Sequence, residues 1–228
     1  MALVHRGLPA SSRRAGCAVI ALVGAAAGAG CGVVVWRWLV RGSYRYRMDV
    51  PRLDLRWSWL VVVLAAAGAA AAAAAPRELL LAAGAYAVTG AGLAWIDWDV
   101  RRIPDAVLRV LAPVLVVLVA LGAWGSGSLV LLAWSACGAL VLGGAFFLMS
   151  LATSMGLGDV KLAAVTGLVV GPLGWAGMFT AVLATYLVGA VVALGLLAAG
   201  AGRRAHLAFG PMIIAGALVA LATGTVAG

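Results

Sequence analysis

Charge is scarce in this chain. Asp, Glu, Lys and Arg make up 10% of 228 residues, where soluble globular domains carry roughly 25%. Only seven residues are acidic. The shortage excludes an ordinary cytosolic enzyme and a disordered chain, both of which need abundant polar surface. Cysteine is also sparse: Cys17, Cys31 and Cys137 all lie inside apolar runs, and none belongs to a CxxC pair. That excludes a secreted disulfide scaffold and a zinc site, and leaves small membrane-buried thiols as the expectation. The net charge of +9 is not accompanied by a stacking module or a basic helix face, so no nucleic-acid partner is expected. The basic residues sit between apolar runs, where they set topology and meet anionic headgroups.

What the chain has instead is apolar sequence. Hydrophobic residues make up 65% of it, and the mean hydropathy is +1.14. A transmembrane helix uses roughly 20 residues, so the length allows about seven or eight spans with short loops and no large soluble domain. The expected fold is all-α: a polytopic transmembrane helix bundle in a lipid bilayer, with about eight spans and seven as the alternative.

The first sixteen residues contain His5, Arg6, Arg13 and Arg14, and an apolar run of about 24 residues follows from Cys17 to Val40. It is longer than the core of a signal peptide and meets Arg41 rather than a cleavage site, so it reads as a retained first span with Arg37 snorkelling to the interface. Residues 41–57 hold Arg41, Arg45, Arg47, Arg52 and Arg56 with Asp49 and Asp54. This is the longest polar connection and reads as cytoplasmic. The second span, about 58–75, ends in an alanine tract that permits a helix and carries no chemistry. Pro76, Arg77 and Glu78 make a tight turn. Later spans are expected at about 79–97, 106–123, 128–150, 159–171, 175–199 and 207–226. The 159–171 stretch is short enough to be tilted or re-entrant.

With 41–57 inside, alternation also places 98–105, 151–158 and 200–206 inside, including Arg101, Arg102, Arg203 and Arg204. The N-terminus then falls outside with three arginines, against the rule. A first run that fails to cross, or a start codon assigned too early, removes that conflict.

After Glu78 only four acidic side chains remain: Asp97, Asp99, Asp105 and Asp159. Ionisable residues in spans are costly and are functional candidates by default. Asp159 follows two glycines in Met155-Gly156-Leu157-Gly158-Asp159-Val160-Lys161. Those glycines allow close backbone approach and unusual dihedrals, and an aspartate here also suits a helix N-terminus. Asp97 closes the third span. Asp99 reads as solvated and paired with a nearby arginine, and Asp105, after Pro104, as a helix cap. Trp57, Trp95, Trp98 and Trp124 read as interfacial belt residues. The third span runs inward and the sixth runs outward. Asp97 and Asp159, 62 positions apart, therefore reach the same cytoplasmic boundary. Two neighbouring carboxylates cannot both ionise easily. One keeps its proton while the other acts as base, which lets the pair direct water at a peptide carbonyl without a metal or covalent intermediate.

These residues resemble the type IV prepilin peptidases, a branch of the GxGD intramembrane aspartyl proteases. Ile96–Asp105 (IDWDVRRIPD) is similar to the family's aspartate followed seven positions later by proline and then Asn or Asp. Gly156–Gly171 (GLGDVKLAAVTGLVVG) is similar to its GxGD-x-K segment. Ala208–Leu218 (AFGPMIIAGAL) resembles the phenylalanine-glycine-proline opening of its last helix, with Ala208 where a proline often stands. A lone GxGD is weak; the three motifs together in a multispan chain are specific.

The resemblance covers about 80–228. It implies a peptidase-like core at 79–228, preceded by N-terminal transmembrane helices at 1–78 with the short basic loop 41–57. It implies Asp97 and Asp159 as catalytic pair, Gly156 and Gly158 as shapers of the backbone at the second aspartate, Pro104 as part of the first motif, and Lys161 near the site, biasing a carboxylate or holding substrate. It implies no cofactor and no metal. The implied substrate is a prepilin or pseudopilin, with a short basic leader followed by an apolar helix, cut after a glycine at the inner face of the cell membrane. Bifunctional members carry a cysteine-containing cytoplasmic domain after the first helix, tied to N-methylation. Loop 41–57 has no cysteine and no room for it, so methyl transfer is not expected. Two other classes compete: a small transporter or channel using both aspartates as ion ligands, and a silent scaffold in which they cap helices. The helix-end placement of both acids argues against a transport pathway.

Overall fold

Each apolar run becomes a helix, and the described Gly- and Pro-marked breaks separate the helices. The computed structural model describes residues 10–42 (10–17 as backbone only), 44–46, 49, 51–153, 155–200 and 208–227. Among them are eight α-helices: α1 (Ala10–Val40), α2 (Leu60–Ala72), α3 (Leu80–Val100), α4 (Asp105–Ser126), α5 (Val130–Ala152), α6 (Leu157–Val170), α7 (Gly174–Ala198) and α8 (Gly210–Thr223). The described residues contain no strand, so the fold is the all-α bundle expected. His5, Arg6, Arg47, Ser154, Arg203, Arg204 and His206 lie outside the described residues, as do the side chains of Arg13, Arg14 and Cys17.

Among the described residues, six segments are long and apolar enough to cross a membrane: Ala18–Val40, Leu55–Ala72, Arg77–Val100, Asp105–Ser126, Val130–Ala152 and Leu157–Ala198. The last is not one rod. A short 3-10 turn at Gly171–Leu173 and Gly174, with φ +69°, reverse the chain between α6 and α7. Two helices are shorter than expected. The expected eighth span of 207–226 contracts to Gly210–Thr223, because Pro211 suits a first helical turn and Gly224 turns extended at the far end. The second contracts to Leu60–Ala72, because Ala73–Ala75 form turns before Pro76.

The helices run up and down. Gly24, Gly28 and Gly32 of α1 lie against Ala69, Ala65 and Val62 of α2, so these two are antiparallel. Ser135 of α5 donates to the Leu168 carbonyl of α6 at 2.6 Å, while Gly143 lies against Ala164. Trp134 meets Trp175 edge-on, and the Tyr186 hydroxyl reaches the Met149 sulfur, so α7 runs parallel to α5. Small residues at these crossings let backbones approach closely, the usual basis of helix packing in lipid. Large apolar side chains such as Val110, Leu140 and Val191 point outward, as lipid-facing positions require.

One end of the bundle therefore gathers the described residues of 41–57 and of the α5–α6 link, the α3–α4 link and the start of α8. The opposite end gathers 73–79, 127–129, 171–174 and 224–227, where the Ala227 N–H closes onto the Pro172 carbonyl at 2.8 Å. Between the ends, the buried Tyr86 hydroxyl of α3 hydrogen-bonds Thr166 Oγ1 of α6 at 2.6 Å. That bond sets the register of the two helices that carry Asp97 and Asp159.

Candidate active site

Asp97 is not at the end of its helix, as expected, but one turn inside it. α3 continues to Val100 and stops where Arg101 turns left-handed (φ 53°), its N–H closing on the Asp97 carbonyl at 2.9 Å. The extra turn carries the carboxylate against α8 and leaves Asp97 4% exposed. There Oδ2 accepts the Gly210 N–H at 2.9 Å. The first N–H groups of a helix have no partner within it. The missing N–H of Pro211 makes Gly210 the last donor before the ladder begins. A Cβ at position 210 would lie 2.8 Å from Oδ2, so glycine is what admits the carboxylate.

Asp159 sits in the first turn of α6, half-buried, with its N–H on the Gly156 carbonyl at 3.0 Å. Gly156 precedes the helix in ordinary extended geometry (φ −70°, ψ 144°), and Gly158 is not among the positive-φ glycines. The expectation of unusual dihedrals at this pair is therefore corrected. Gly158 serves close approach instead: a Cβ there would come within 3.3 Å of the Ile103 side chain. That contact seats the start of α6 against the link between α3 and α4.

The result is that Asp97 and Asp159 border one cavity of about 1060 Å³ at the connection-rich end of the bundle, together with Gly156, Gly158, Lys161 and Pro104. Asp97 is fixed by its bond to α8. Among the described residues no group hydrogen-bonds the Asp159 carboxylate.

Residues 85–194 match the model of the type IV leader peptidase family. The match supports a prepilin peptidase-type assignment for this part of the chain. That family indicates a peptidase, a hydrolase, and together with the long apolar helices it points to a multi-pass membrane protein. The matched stretch runs from α3 through α7 and contains both aspartates, while Gly210 lies beyond it. No curated protein and no solved structure matches the chain.

The other two acids that follow Glu78, Asp99 and Asp105, do not behave as expected. Asp105 makes no helix-capping bond; both its oxygens receive Lys161 Nζ, at 2.7 and 2.8 Å. Lys161 thus borders the cavity while its charge is directed to Asp105, and this pair joins α4 to α6 in a half-exposed position. Asp99 is not solvated but 0% exposed. Its arginine is Arg45, across the bundle end rather than nearby in sequence, at 2.7 Å. Trp95 is also buried, its indole N–H directed at the Tyr44 hydroxyl, so it is not a belt residue.

The connection after α1 contributes cavity residues that sequence reasoning missed: Tyr44 and Tyr46, with Trp38 from the end of α1. Their signal was the aromatic–arginine alternation Tyr44-Arg45-Tyr46 inside the longest polar loop. Burial, then the hydrogen bond to Asp99, pushes the Tyr44 hydroxyl above its ordinary range, so it stays a donor. Burial and the neighbouring Arg52 hold Arg101 below the ordinary arginine range, with Asp97 opposing. Arg101 remains a cation, and it is the one non-glycine residue with positive φ among those described.

Proposed function

We propose that the chain is an intramembrane aspartyl endopeptidase that removes the leader from type IV prepilin or pseudopilin-like substrates at the cytoplasmic face of the cell membrane. The observation that carries this reading is the meeting of Asp97 and Asp159 in one cavity across 62 positions of sequence. In this reaction one carboxylate is ionised and takes a proton from water as its oxygen attacks the scissile carbonyl. The other is protonated and gives its proton to the departing amine as the C–N bond breaks. The α8 N-terminus holds Asp97 in place, so that carboxylate needs little reorganisation.

The orientation follows from the arginine-rich connection at the same bundle end, which favours the cytoplasmic side. A substrate helix remaining in the bilayer would bring the bond at its membrane boundary to the level of the two helix ends. We assign no methyl transfer, because 41–57 has neither cysteine nor the length for a further domain. Residues 79–228 form the proposed peptidase core, with 1–78 as an added helical pair. Coexpression with candidate prepilins of the same organism, followed by N-terminal sequencing of the product, tests the reading. A new N-terminus at the leader boundary is expected, and an intact leader would contradict it.

A further inference from the structure

We propose that the exposed Tyr46 ring, backed by the buried Tyr44, forms a wall that holds the leader segment of the substrate, a short extended basic peptide, and that Asp99 is a positioning residue for that wall. The inference rests on the peptidase reading above and extends it to how substrate is held.

Asp99 is a fully occupied anchor. Its Oδ2 accepts the Tyr44 hydroxyl at 2.8 Å and Arg45 Nε at 2.7 Å. Its Oδ1 accepts the backbone N–H groups of Arg52 at 3.0 Å and Leu53 at 2.8 Å. Arg45 also donates to the Leu53 carbonyl at 2.7 Å, closing the segment on itself. A buried carboxylate with four donors holds its partners far more rigidly than a surface pair does. A second anchor stands three residues on. Arg102 donates to the Tyr44 carbonyl at 3.1 Å and to Asp49 at 3.0 Å, and its guanidinium lies 4.1 Å from the Tyr46 ring centroid.

Tyr44 and Tyr46 border the same space as Asp97 and Asp159, and Tyr46 is 65% exposed despite its stacked arginine. If the substrate helix lies in the bilayer and its scissile bond between the aspartates, the leader must leave on the side of the connections. Tyr44 and Tyr46 stand on that side. An exposed tyrosine face suits the stems and cations of basic residues.

The test uses the purified full-length enzyme in lipid nanodiscs and two versions of one prepilin substrate. One has its whole leader; the other is trimmed to the two residues before the scissile bond. For the whole leader, Tyr46→Ala and Asp99→Asn should each raise KM about five- to tenfold, as expected for losing one aromatic contact, with kcat held within about twofold. On the trimmed substrate both variants should match the wild type. Tyr46 is exposed, so its variant keeps the test open if Asp99→Asn fails to fold. An unchanged KM for the whole leader, or the same penalty on both substrates, would overturn the proposal. Wild-type enzyme that cleaves neither substrate would instead overturn the peptidase reading, and this inference with it.

Discussion

The Gly210 N–H donates to Asp97 Oδ2 at 2.9 Å, tying the first turn of α8 to the last turn of α3 across 113 positions of sequence. The bond gives the FGP segment a physical role. Phe209 precedes the helix, Gly210 supplies the donor without a side chain in the way, and Pro211 begins the helical turn. Any side chain at 210 must displace the carboxylate or the helix.

Gly210→Ala should therefore cost activity far more than fold. Displacing a reacting group by about 1 Å can cost on the order of a hundredfold in rate. The cleavage rate of a coexpressed prepilin should fall by at least about tenfold, while the detergent-solubilised protein keeps its helical circular dichroism.

Tyr86→Phe removes the bond that sets α3 against α6. Thr166 Oγ1 is then left buried without its partner, at a cost of about 1–3 kcal/mol. Thermal unfolding in detergent should show that loss. Processing should fall as well, because Asp97 lies about 16 Å along α3 from Tyr86 and Asp159 about 10 Å along α6 from Thr166. A slip between these helices moves the two acids apart.

A pair of glycines on one helix gives a matched comparison. A Cβ at Gly138 of α5 would fall among the Gly167 carbonyl and the Gly171 Cα of the neighbouring segment, whose backbones cannot give way. A Cβ at Gly144 would meet nothing within 4 Å. Gly138→Ala should destabilise by about 1–3 kcal/mol through overpacking. Gly144→Ala should be neutral or stabilise by up to about 1 kcal/mol through helix propensity. Unfolding of the two variants in the same detergent compares them directly.

The sequence carried the helices well, because continuous apolar runs broken by Gly, Pro and Arg leave little choice in a membrane. It was less informative where contacts cross the chain. Asp99 looked solvated because an aspartate among arginines at a helix end usually is, and nothing local reveals that Tyr44, Arg45, Arg52 and Leu53 converge on it. Asp105 looked like a cap because it follows Pro104, and only the packing of α4 on α6 brings Lys161 to it. Gly156 and Gly158 were legible as a motif but not as to purpose: Gly158 makes room for Ile103 rather than adopting a special backbone. The short α8 is set by Gly210 and Pro211, and no periodicity records the bond from the Gly210 N–H to Asp97.

The most direct measurement of the central claim is the cleavage rate of a purified prepilin substrate by the reconstituted enzyme and by Asp97→Asn and Asp159→Asn, each checked for folding by circular dichroism. Asparagine keeps the size of each side chain and removes its ability to exchange a proton at neutral pH. We predict that each single change lowers the rate by at least about a hundredfold, as loss of an essential acid or base does, with the fold intact. Cleavage at near wild-type rate by either folded variant would contradict the account.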